Sequence, residues 1–259
     1  DCANWFLEFA EVIEHHLGDL IPNWITFNEI FVNCVAGHFL GLHAPGRFNI
    51  WAHYLAVHNQ LRAHGLCARM LKSRRPDAQV GVTLDLRPIY PQSSSAQDAL
   101  AVKYADMTMR RMLLDPIFKG HYPKEHLERA WMFLPNTEPH DMDEICAPID
   151  FIGVNNYSRD KVQYSPWFVG HNFWPDYTPI APDNEYELDG VQYTAMGWEV
   201  YPESIYEVLM LLKNEYGNPK SYVTENGAAY TDNVVNGRVH DYKRVQFYQQ
   251  YLTQVARAV

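Results

Sequence analysis

Two glutamates, each at the end of a β-like run, are the side chains of this sequence best suited to chemistry. Residues 221–227 alternate in polarity and reach Glu225 just before an Asn-Gly pair that interrupts a strand. Residues 23–29 have the same shape and reach Glu29. A single glutamate at a strand end is more often a solvated end residue, whereas two carboxylates from two strands are the minimum for cleaving a glycosidic bond with an acid and a nucleophile.

The strands that position these glutamates belong to a chain in which strand-like and helical segments alternate. Four apolar runs predict buried strands: residues 23–29, 79–84, 150–154 and 221–225. Near-continuously apolar strands between helices are typical of a parallel sheet covered by helices. In a parallel α/β barrel the catalytic groups project from the carboxyl ends of the strands, where Glu29 and Glu225 lie. An open doubly wound sheet usually has a Gly-rich turn after its first strand, and this sequence has none.

Apolar residues spaced by three and four predict the helices, over about residues 6–17, 51–72, 95–113, 202–216 and 241–255. Ser95 and Asp98 predict a capping box at the start of the third helix, and Asp115-Pro116 predicts its end. Residues 158–201 form a long irregular segment, which predicts a functional role. Its aromatic residues suit stacking on sugar faces, although loop packing is the more common fate: Tyr164, Trp167, Phe168, Phe173, Trp174 and Tyr177.

Composition excludes several classes of partner. The chain has 259 residues, is 47% hydrophobic and carries a formal net charge of -10. It is long enough for one large domain, residues 1–259. The acidic balance argues against nucleic acid or an anionic membrane as a partner, because phosphate binding needs clustered Lys and Arg. No apolar run approaches the length of a membrane span and no export signal is visible, so the cytoplasm is the expected location.

Metal ligation is not predicted. The cysteines are too dispersed for a zinc site and predict free thiols in a reducing compartment: Cys2, Cys34, Cys67 and Cys146. The closest histidines, such as His15 with His16 and His53 with His58, do not suggest a helical zinc site. The sequence therefore predicts neither a metal nor a cofactor.

Six spaced motifs together resemble glycoside hydrolase family 1, the β-glucosidases. They lie at residues 26–29, 42–47, 115–116, 148–153, 196–199 and 223–227, in the family's order and along essentially the whole chain. The resemblance implies a (β/α)8 barrel and a retaining, two-step hydrolysis of terminal β-D-glucosyl residues. It makes Glu29 the general acid/base and Glu225 the nucleophile. Two carboxyls about 5 to 5.5 Å apart cannot both ionise cheaply, so the acid/base is expected to arrive protonated.

The resemblance also implies four substrate-binding residues. Asn28 matches the residue that bonds the sugar 2-hydroxyl, and Asn155 matches an asparagine lining the same site. Tyr157 matches the tyrosine that donates to the nucleophile, and Trp198 the tryptophan that walls the aglycone side. A small β-glucoside or oligosaccharide is the implied partner.

Four positions depart from the family pattern. Isoleucine replaces the usual Pro at residue 30, phenylalanine a common Trp at residue 31, aspartate the usual Asn at residue 85, and asparagine a frequent Tyr at residue 156. All four are expected near the aglycone rim, where they bear on substrate preference more than on chemistry.

The chain resembles only part of the family barrel. Its strands match the fourth to seventh of eight, so residues 1–259 are expected to be one barrel domain truncated at both ends. The missing strands come from a longer protein, from separate or disordered segments, or from a second copy in a homo-oligomer; we favour the first. A catalytically inactive barrel fragment that serves as a sugar-binding or assembly module is the alternative to the enzyme.

Overall fold

The computed structural model describes residues 2–166, 173–175, 186–188 and 190–259. Within them the helices are α1 (Cys2–Leu17), α2 (Ile30–Cys34), α3 (Ile50–Arg74), α4 (Ala96–Ala105), α5 (Met112–Lys119), α6 (Lys124–Ala130), α7 (Asp141–Ile145), α8 (Glu203–Glu215) and α9 (Tyr242–Ala258). The strands are β1 (Asn23–Asn28), β2 (Gln79–Asp85), β3 (Ile89–Pro91), β4 (Phe151–Asn155), β5 (Asp160–Tyr164), β6 (Phe173–Pro175), β7 (Tyr186–Leu188), β8 (Val191–Tyr193), β9 (Ser221–Glu225), β10 (Val234–Val235) and β11 (Arg238–Val239).

The main sheet contains the four strands that the sequence predicts. Its order is β1-β2-β4-β9, and every pairing is parallel. Asp85 lies opposite Asn155, and Asn155 lies opposite Glu225. The carboxyl ends of the strands therefore meet at one edge of the sheet, which is where a parallel α/β fold places its ligands.

Helices bury one face of this sheet. Strand residues alternate between faces, so Val82, Leu84, Ile152 and Val154 all point toward the helices and are fully buried. They share one apolar core with residues of α3, α5, α8 and α9: Val57, Leu61, Leu113, Leu114, Ile117, Ile205, Val208, Leu212, Phe247 and Tyr251. Burial of these side chains is the main force that holds the helices against this face of the sheet.

The opposite face is packed tightly at its centre. Gly153 has no side chain, and a Cβ there would collide with the hydroxyl group of Thr83 and lie 3.0 Å from the side chain of Thr224. Glycine at this position lets β2, β4 and β9 bring these two threonines together. Asn155 is two residues further along β4 and therefore lies on the same face.

The two edge strands, β1 and β9, leave apolar surface exposed. Ile25 of β1 and Tyr222 and Val223 of β9 are exposed, as are apolar residues of the adjacent helices: Trp5, Phe9 and Val12 of α1, and Val245, Tyr248 and Leu252 of α9. In the part of the chain that the structure describes, the main sheet thus has four strands, with β1 and β9 at its edges.

The predicted end of the third helix is wrong. Ser95 caps α4 by accepting a hydrogen bond from the backbone N–H of Asp98 at 3.0 Å, as expected. The helical path then continues through a π-helical segment, Asp106–Arg111, and passes Pro116 before it ends at Gly120. Proline removes one backbone donor, but buried Leu113 and Ile117 on either side keep α5 packed on the core.

The long irregular segment carries short strands of its own. In the parts that the structure describes, β5 and β6 form one small sheet with β3, which lies soon after β2, and β7 and β8 form another. Tyr164 packs against a separate apolar cluster. Trp167, Phe168 and Tyr177, which suit stacking on sugars, lie outside the described residues.

Candidate active site

Glu29 occupies a left-handed turn directly after β1. Its φ of 54° is a conformation that residues other than glycine rarely adopt. Two backbone hydrogen bonds fix the turn, one from the N–H of Glu29 to the carbonyl of Thr83 at 2.9 Å and one from the N–H of Asn33 to the carbonyl of Glu29 at 3.0 Å. A strained backbone held by its surroundings is a feature of functional sites.

Asn155 connects the two strand ends that carry the glutamates. Its amide nitrogen donates to Oε1 of Glu29 at 2.9 Å and to Oδ1 of Asn28 at 3.0 Å. Its amide oxygen accepts from the hydroxyl of Thr224 at 2.7 Å, which leaves the NH₂ group facing Glu29. Asn155 is fully buried and lies opposite Glu225 in the sheet, so one side chain ties β1 to the strand of the second carboxylate.

Glu225 is the last residue of β9, and its carboxylate is exposed. The hydroxyl of Tyr157 donates to its Oε2 atom. The backbone of Tyr157 is held in turn, because the hydroxyl of Tyr251 donates to its carbonyl at 2.7 Å. The backbone carbonyl of Glu225 accepts from the N–H of Asn156 at 3.0 Å. This carboxylate therefore has a fixed donor on one oxygen and solvent access elsewhere.

The electrostatic setting of Glu29 favours its protonated form. Burial raises its pKa above the ordinary value, the hydrogen bond from Asn155 works against the rise, and the negative charges of Asp85 and Glu225 add to it. The charge of Glu225 acts on Glu29, so the two carboxyls are electrostatically coupled. The pKa of Tyr157 is raised by burial and by its bond to Glu225, so its hydroxyl remains a donor.

Trp198 lies against the same site. Its ring centroid is 5.2 Å from that of Tyr157. The backbone N–H of Trp198 donates to the hydroxyl of Thr194 at 3.3 Å. The structure thus brings together all six residues predicted for the site: Asn28, Glu29, Asn155, Tyr157, Trp198 and Glu225. Their chemical roles remain predictions.

Two residues beside the site were not predicted as part of it. Thr224 orients the amide of Asn155, and Arg87 has its guanidinium carbon 5.3 Å from the ring centroid of Trp198. Thr224 directly precedes Glu225, and Arg87 closely follows β2, so their positions at strand ends were the available signal.

Three of the four departures from the family pattern have side chains that are buried or packed on the core. Ile30 is fully buried in the main core, and Phe31 packs against that core with its ring edge toward His53. Asn156 is fully buried and bonds the carbonyl of Leu86 at 2.8 Å. Packing and buried hydrogen bonds explain these side chains. The backbone N–H of Asn156 also bonds the carbonyl of Glu225, and the charge of Asp85 acts on Glu29.

One cluster has atoms suitable for metal ligation. Possible ligand atoms of His140, Asp141 and Glu144 lie within 4.8 Å of one another. The guanidinium of Arg62 already contacts both carboxylates, at 2.9 Å from Asp141 and 2.8 Å from Glu144. A second cation there would be repelled by Arg62, so the cluster is better described as an ion-pair network.

The cysteines and the helix lengths also bear on the sequence predictions. All four cysteines are free thiols, and those of Cys34 and Cys67 are buried. Among the described helices, none has the length and apolar character needed to cross a bilayer.

Comparisons with known proteins agree with the resemblance. The model of the family described as Glycosyl hydrolase family 1 matches residues 1–259. Beta-glucosidase A of Acetivibrio thermocellus is 38% identical over 263 residues, which cover 100% of this chain and 56% of the relative. Beta-glucosidase A of Thermotoga maritima is 37% identical over 261 residues, with 100% and 56% covered. The chain spans about half the length of these relatives.

A solved structure shows the same fold. It is a Thermotoga maritima family 1 glycoside hydrolase complexed with a cyclophellitol analogue transition state mimic, and it matches with a TM-score of 0.88 at 37% identity over 99% of this chain and 55% of that chain. The predicted (β/α)8 barrel fold is confirmed, with β1, β2, β4 and β9 as four of its strands. From its motifs, its fold and these matches, the chain belongs to glycosyl hydrolase family 1.

Proposed function

We propose that the whole protein is a retaining β-glucosidase whose two catalytic carboxyls, Glu29 and Glu225, come from this chain. The main support is Asn155, whose amide binds Glu29 at 2.9 Å while its strand pairs with that of Glu225. The names of the relatives, Beta-glucosidase A in two bacteria, support β-glucosides as the substrate class.

In the first step of the proposed reaction, the carboxylate of Glu225 attacks the anomeric carbon. The bond to the leaving oxygen breaks as Glu29 donates its proton to that oxygen. The raised pKa of Glu29 keeps the proton available, and the hydroxyl of Tyr157 holds the attacking carboxylate in place. The product is a glycosyl ester on Glu225.

In the second step, the ester on Glu225 is hydrolysed. Burial and the charge of Asp85 still raise the pKa of Glu29, but esterification removes the contribution of Glu225. The pKa of Glu29 therefore falls, and Glu29, now a carboxylate, can act as the base. It takes a proton from water, the water oxygen attacks the anomeric carbon, and Glu225 leaves as a carboxylate. One residue thus serves as acid and then as base.

Asn28 and Trp198 bind the substrate in this proposal. Asn28 contacts the sugar 2-hydroxyl, and Trp198 covers the leaving-group side. The remaining barrel strands, expected from the rest of a longer chain, supply the other sugar contacts. Association of copies of this chain into a homo-oligomer is the competing way to close the barrel, and size-exclusion chromatography distinguishes the two.

The expected compartment is the cytoplasm, with no membrane or nucleic-acid partner. Free thiols at all four cysteines support a reducing environment. Fractionation of the source cells tests this location.

A trapping experiment tests the assignment of the nucleophile. A 2-deoxy-2-fluoro β-glucoside with a good leaving group should form a stable ester on Glu225. The fluorine slows both steps, whereas the good leaving group speeds only the first, so the ester forms and is then hydrolysed slowly. Peptide mass spectrometry should find the label on Glu225. A label on any other residue would contradict the assignment.

The inactive-module alternative makes a different prediction. If the protein only binds sugars or other segments, the wild type and Glu225→Gln should both release nitrophenol from an aryl β-glucoside at the background rate. Activity that is present in the wild type and lost in the variant supports the enzyme.

A further inference from the structure

Asp85 and Arg87 form an ion pair beside the two carboxyls, and the proposed reaction does not use it. The Nε atom of Arg87 donates to Oδ1 of Asp85 at 3.1 Å, and an Nη atom donates to Oδ2 at 3.0 Å. This two-pronged geometry fixes the plane of the guanidinium. The side chains of Arg87 and Asp85 are only 20% and 12% exposed. Charges so removed from water act more strongly on their neighbours than charges on an open surface.

The position of Asp85 connects the pair to Glu29. Asp85 is the last residue of β2 and lies opposite Asn155, whose amide binds Glu29. Two residues before it, the carbonyl of Thr83 accepts the N–H of Glu29 at 2.9 Å. After the effects of burial and of Asn155, the charge of Asp85 raises the pKa of Glu29, and the charge of Arg87 lowers it.

The same guanidinium also reaches the leaving-group side. Its central carbon is 5.3 Å from the ring centroid of Trp198, within the range of a cation–π contact. Tyr157 packs against Trp198 at 5.2 Å and donates to Glu225. Arg87 therefore contacts two parts of the proposed site. It pairs with Asp85, whose charge acts on the proposed acid/base Glu29, and it contacts Trp198, the proposed aglycone wall.

We propose that Asp85 and Arg87 are a pair of positioning residues, whose charges balance each other beside Glu29 and whose fixed guanidinium holds the indole of Trp198. The inference rests on the proposed function, because it assigns these residues to the acid/base and aglycone sides of that site.

Other charged groups lie close to the pair of Asp85 and Arg87 and contribute to the local field. An Nη atom of Arg87 lies 3.5 Å from Oδ1 of Asp160, and Arg110 donates to the backbone carbonyl of Arg87 at 3.2 Å. Glu225 and Tyr157 face Glu29 from β9 and from the loop after β4. Arg87→Gln also removes the contact with Asp160, whereas Asp85→Asn leaves that contact in place. The Asp85→Asn shift therefore reports on the pair without a change at Asp160.

The alkaline limb of the pH profile of kcat/KM tests the charge balance, since it reports the pKa of the acid in the free enzyme. Asp85→Asn removes a negative charge, so the pKa of Glu29 falls and the limb moves about one pH unit lower. Arg87→Gln removes a positive charge, so the limb moves about one unit higher. The double variant should return close to the wild-type limb. Shifts in the same direction, or an unmoved limb in both single variants, would overturn the proposal.

Arg87→Lys separates charge from geometry. Lysine keeps the positive charge but lacks the two-pronged fork and the planar contact with Trp198. The limb should stay near its wild-type pH, while KM for an aryl β-glucoside rises about two- to fivefold, the size of one cation–π contact. Unchanged KM would remove Trp198 from the proposal.

The control is an ion pair at the other end of the same sheet. Asp150 precedes β4 and lies 3.1 Å from Lys72. Asp150→Asn removes the same charge as Asp85→Asn but should leave the limb in place. A limb that moves equally in both variants reports only the net charge of the protein and contradicts the proposal.

A carbon-13 NMR titration of the Glu29 carboxyl provides a measurement that does not depend on turnover. If the pKa of Glu29 shifts in opposite directions in Asp85→Asn and Arg87→Gln but no glucoside is cleaved, the proposed charge balance is supported and the proposed function is contradicted. Cleavage with an identical Glu29 titration in every variant would keep the function and reject the pair.

Discussion

The two candidate catalytic glutamates are the same residue type at the ends of two strands, but their surroundings differ. Glu29 is half-buried in a left-handed turn, and the amide of Asn155 donates to it. Glu225 completes an extended strand, is exposed, and receives the hydroxyl of Tyr157. The first carboxyl is thus partly removed from water, whereas the second is open to it.

This difference explains how one side-chain type can perform two roles. Removal from water and nearby negative charge stabilise the proton on Glu29, as its raised pKa indicates. The carboxylate of Glu225 is exposed and has one fixed donor on Oε2, so a substrate can reach it. In the proposed mechanism, the surroundings of each glutamate, and not its side-chain type, determine which one acts as the acid and which as the nucleophile.

The largest effect is expected at the exposed strand end. Glu225→Gln keeps the shape of the side chain but cannot form the glycosyl ester, so kcat for an aryl β-glucoside should fall by about 10⁴- to 10⁶-fold. The free energy of unfolding should change by less than about 0.5 kcal/mol, because the side chain is exposed. Nitrophenol release and urea unfolding measure the two quantities.

A matched control removes the same charge far from the site. Glu128 lies on α6 and is exposed, 3.8 Å from Lys124. Glu128→Gln should leave kcat within about twofold of the wild type, as expected for a surface substitution. A Glu225→Gln variant that retained a tenth of the wild-type rate would exclude Glu225 as the nucleophile.

Substitution of Glu29, at the half-buried end of β1, should cause a smaller loss of kcat/KM, and that loss should depend on the leaving group. Glu29→Ala removes the proton donor, so kcat/KM should fall about 10²- to 10⁴-fold for glucosides whose leaving group needs protonation. Dinitrophenyl glucosides need no proton and should lose far less. The measurement is a series of aryl glucosides of graded leaving-group pKa. An equal loss across the series would contradict the acid role.

Tyr157→Phe tests the tyrosine hydroxyl that donates to Glu225. The donor to Glu29 is instead the amide of Asn155. The substitution deletes the hydroxyl that bonds Oε2 of Glu225 and retains the ring beside Trp198. A hydrogen bond to a charged group contributes about 1.5 to 3 kcal/mol, so kcat should fall roughly 10- to 100-fold. KM should change little because the aromatic wall remains. Steady-state kinetics that show a loss confined to KM would assign Tyr157 to substrate binding instead.

The comparison of strand ends also shows what sequence can predict. Local patterns were sufficient for the four strands, because alternating or continuously apolar runs are bounded by turn residues near Glu29 and Glu225. The left-handed turn at Glu29 was not predictable, since glutamate rarely adopts it and distant contacts stabilise it. Pro116 was misread for a related reason, because tertiary burial outweighs a local helix breaker.

The contacts within the site could not be predicted from local sequence patterns. Asn155 contacts residues more than 60 positions away in both directions, and no spacing in the sequence indicates such contacts. Asn28, Tyr157 and Trp198 were predicted from the family resemblance. The pair Asp85 and Arg87 was visible as two opposite charges after a strand, but only the fold places it beside Glu29.

The smallest effect is expected on stability and concerns a buried histidine that contacts β1, the strand that leads to Glu29. On β1, the hydroxyl of Thr26 lies 2.6 Å from Nδ1 of His64, which is fully buried on α3, whereas Val223 of β9 is 39% exposed. Burial lowers the pKa of His64 to about 4. The unfolded histidine titrates near 6.5, so below that pH unfolding takes up a proton, and stability is lost as pH falls toward 4. Between pH 7 and 5 the free energy of unfolding should fall by about 1–2 kcal/mol more in the wild type than in His64→Gln.

Urea unfolding of both proteins at the two pH values measures this difference, and His121→Gln, at an exposed site, should behave as the wild type. Hydrogen exchange should then show β1 opening more readily at pH 5, while β9 is unaffected. If the wild type and His64→Gln lose equal stability on acidification, His64 does not support the strand of Glu29. The two strand ends would then differ in backbone conformation, in burial and in the groups that contact their carboxyls, but not through His64.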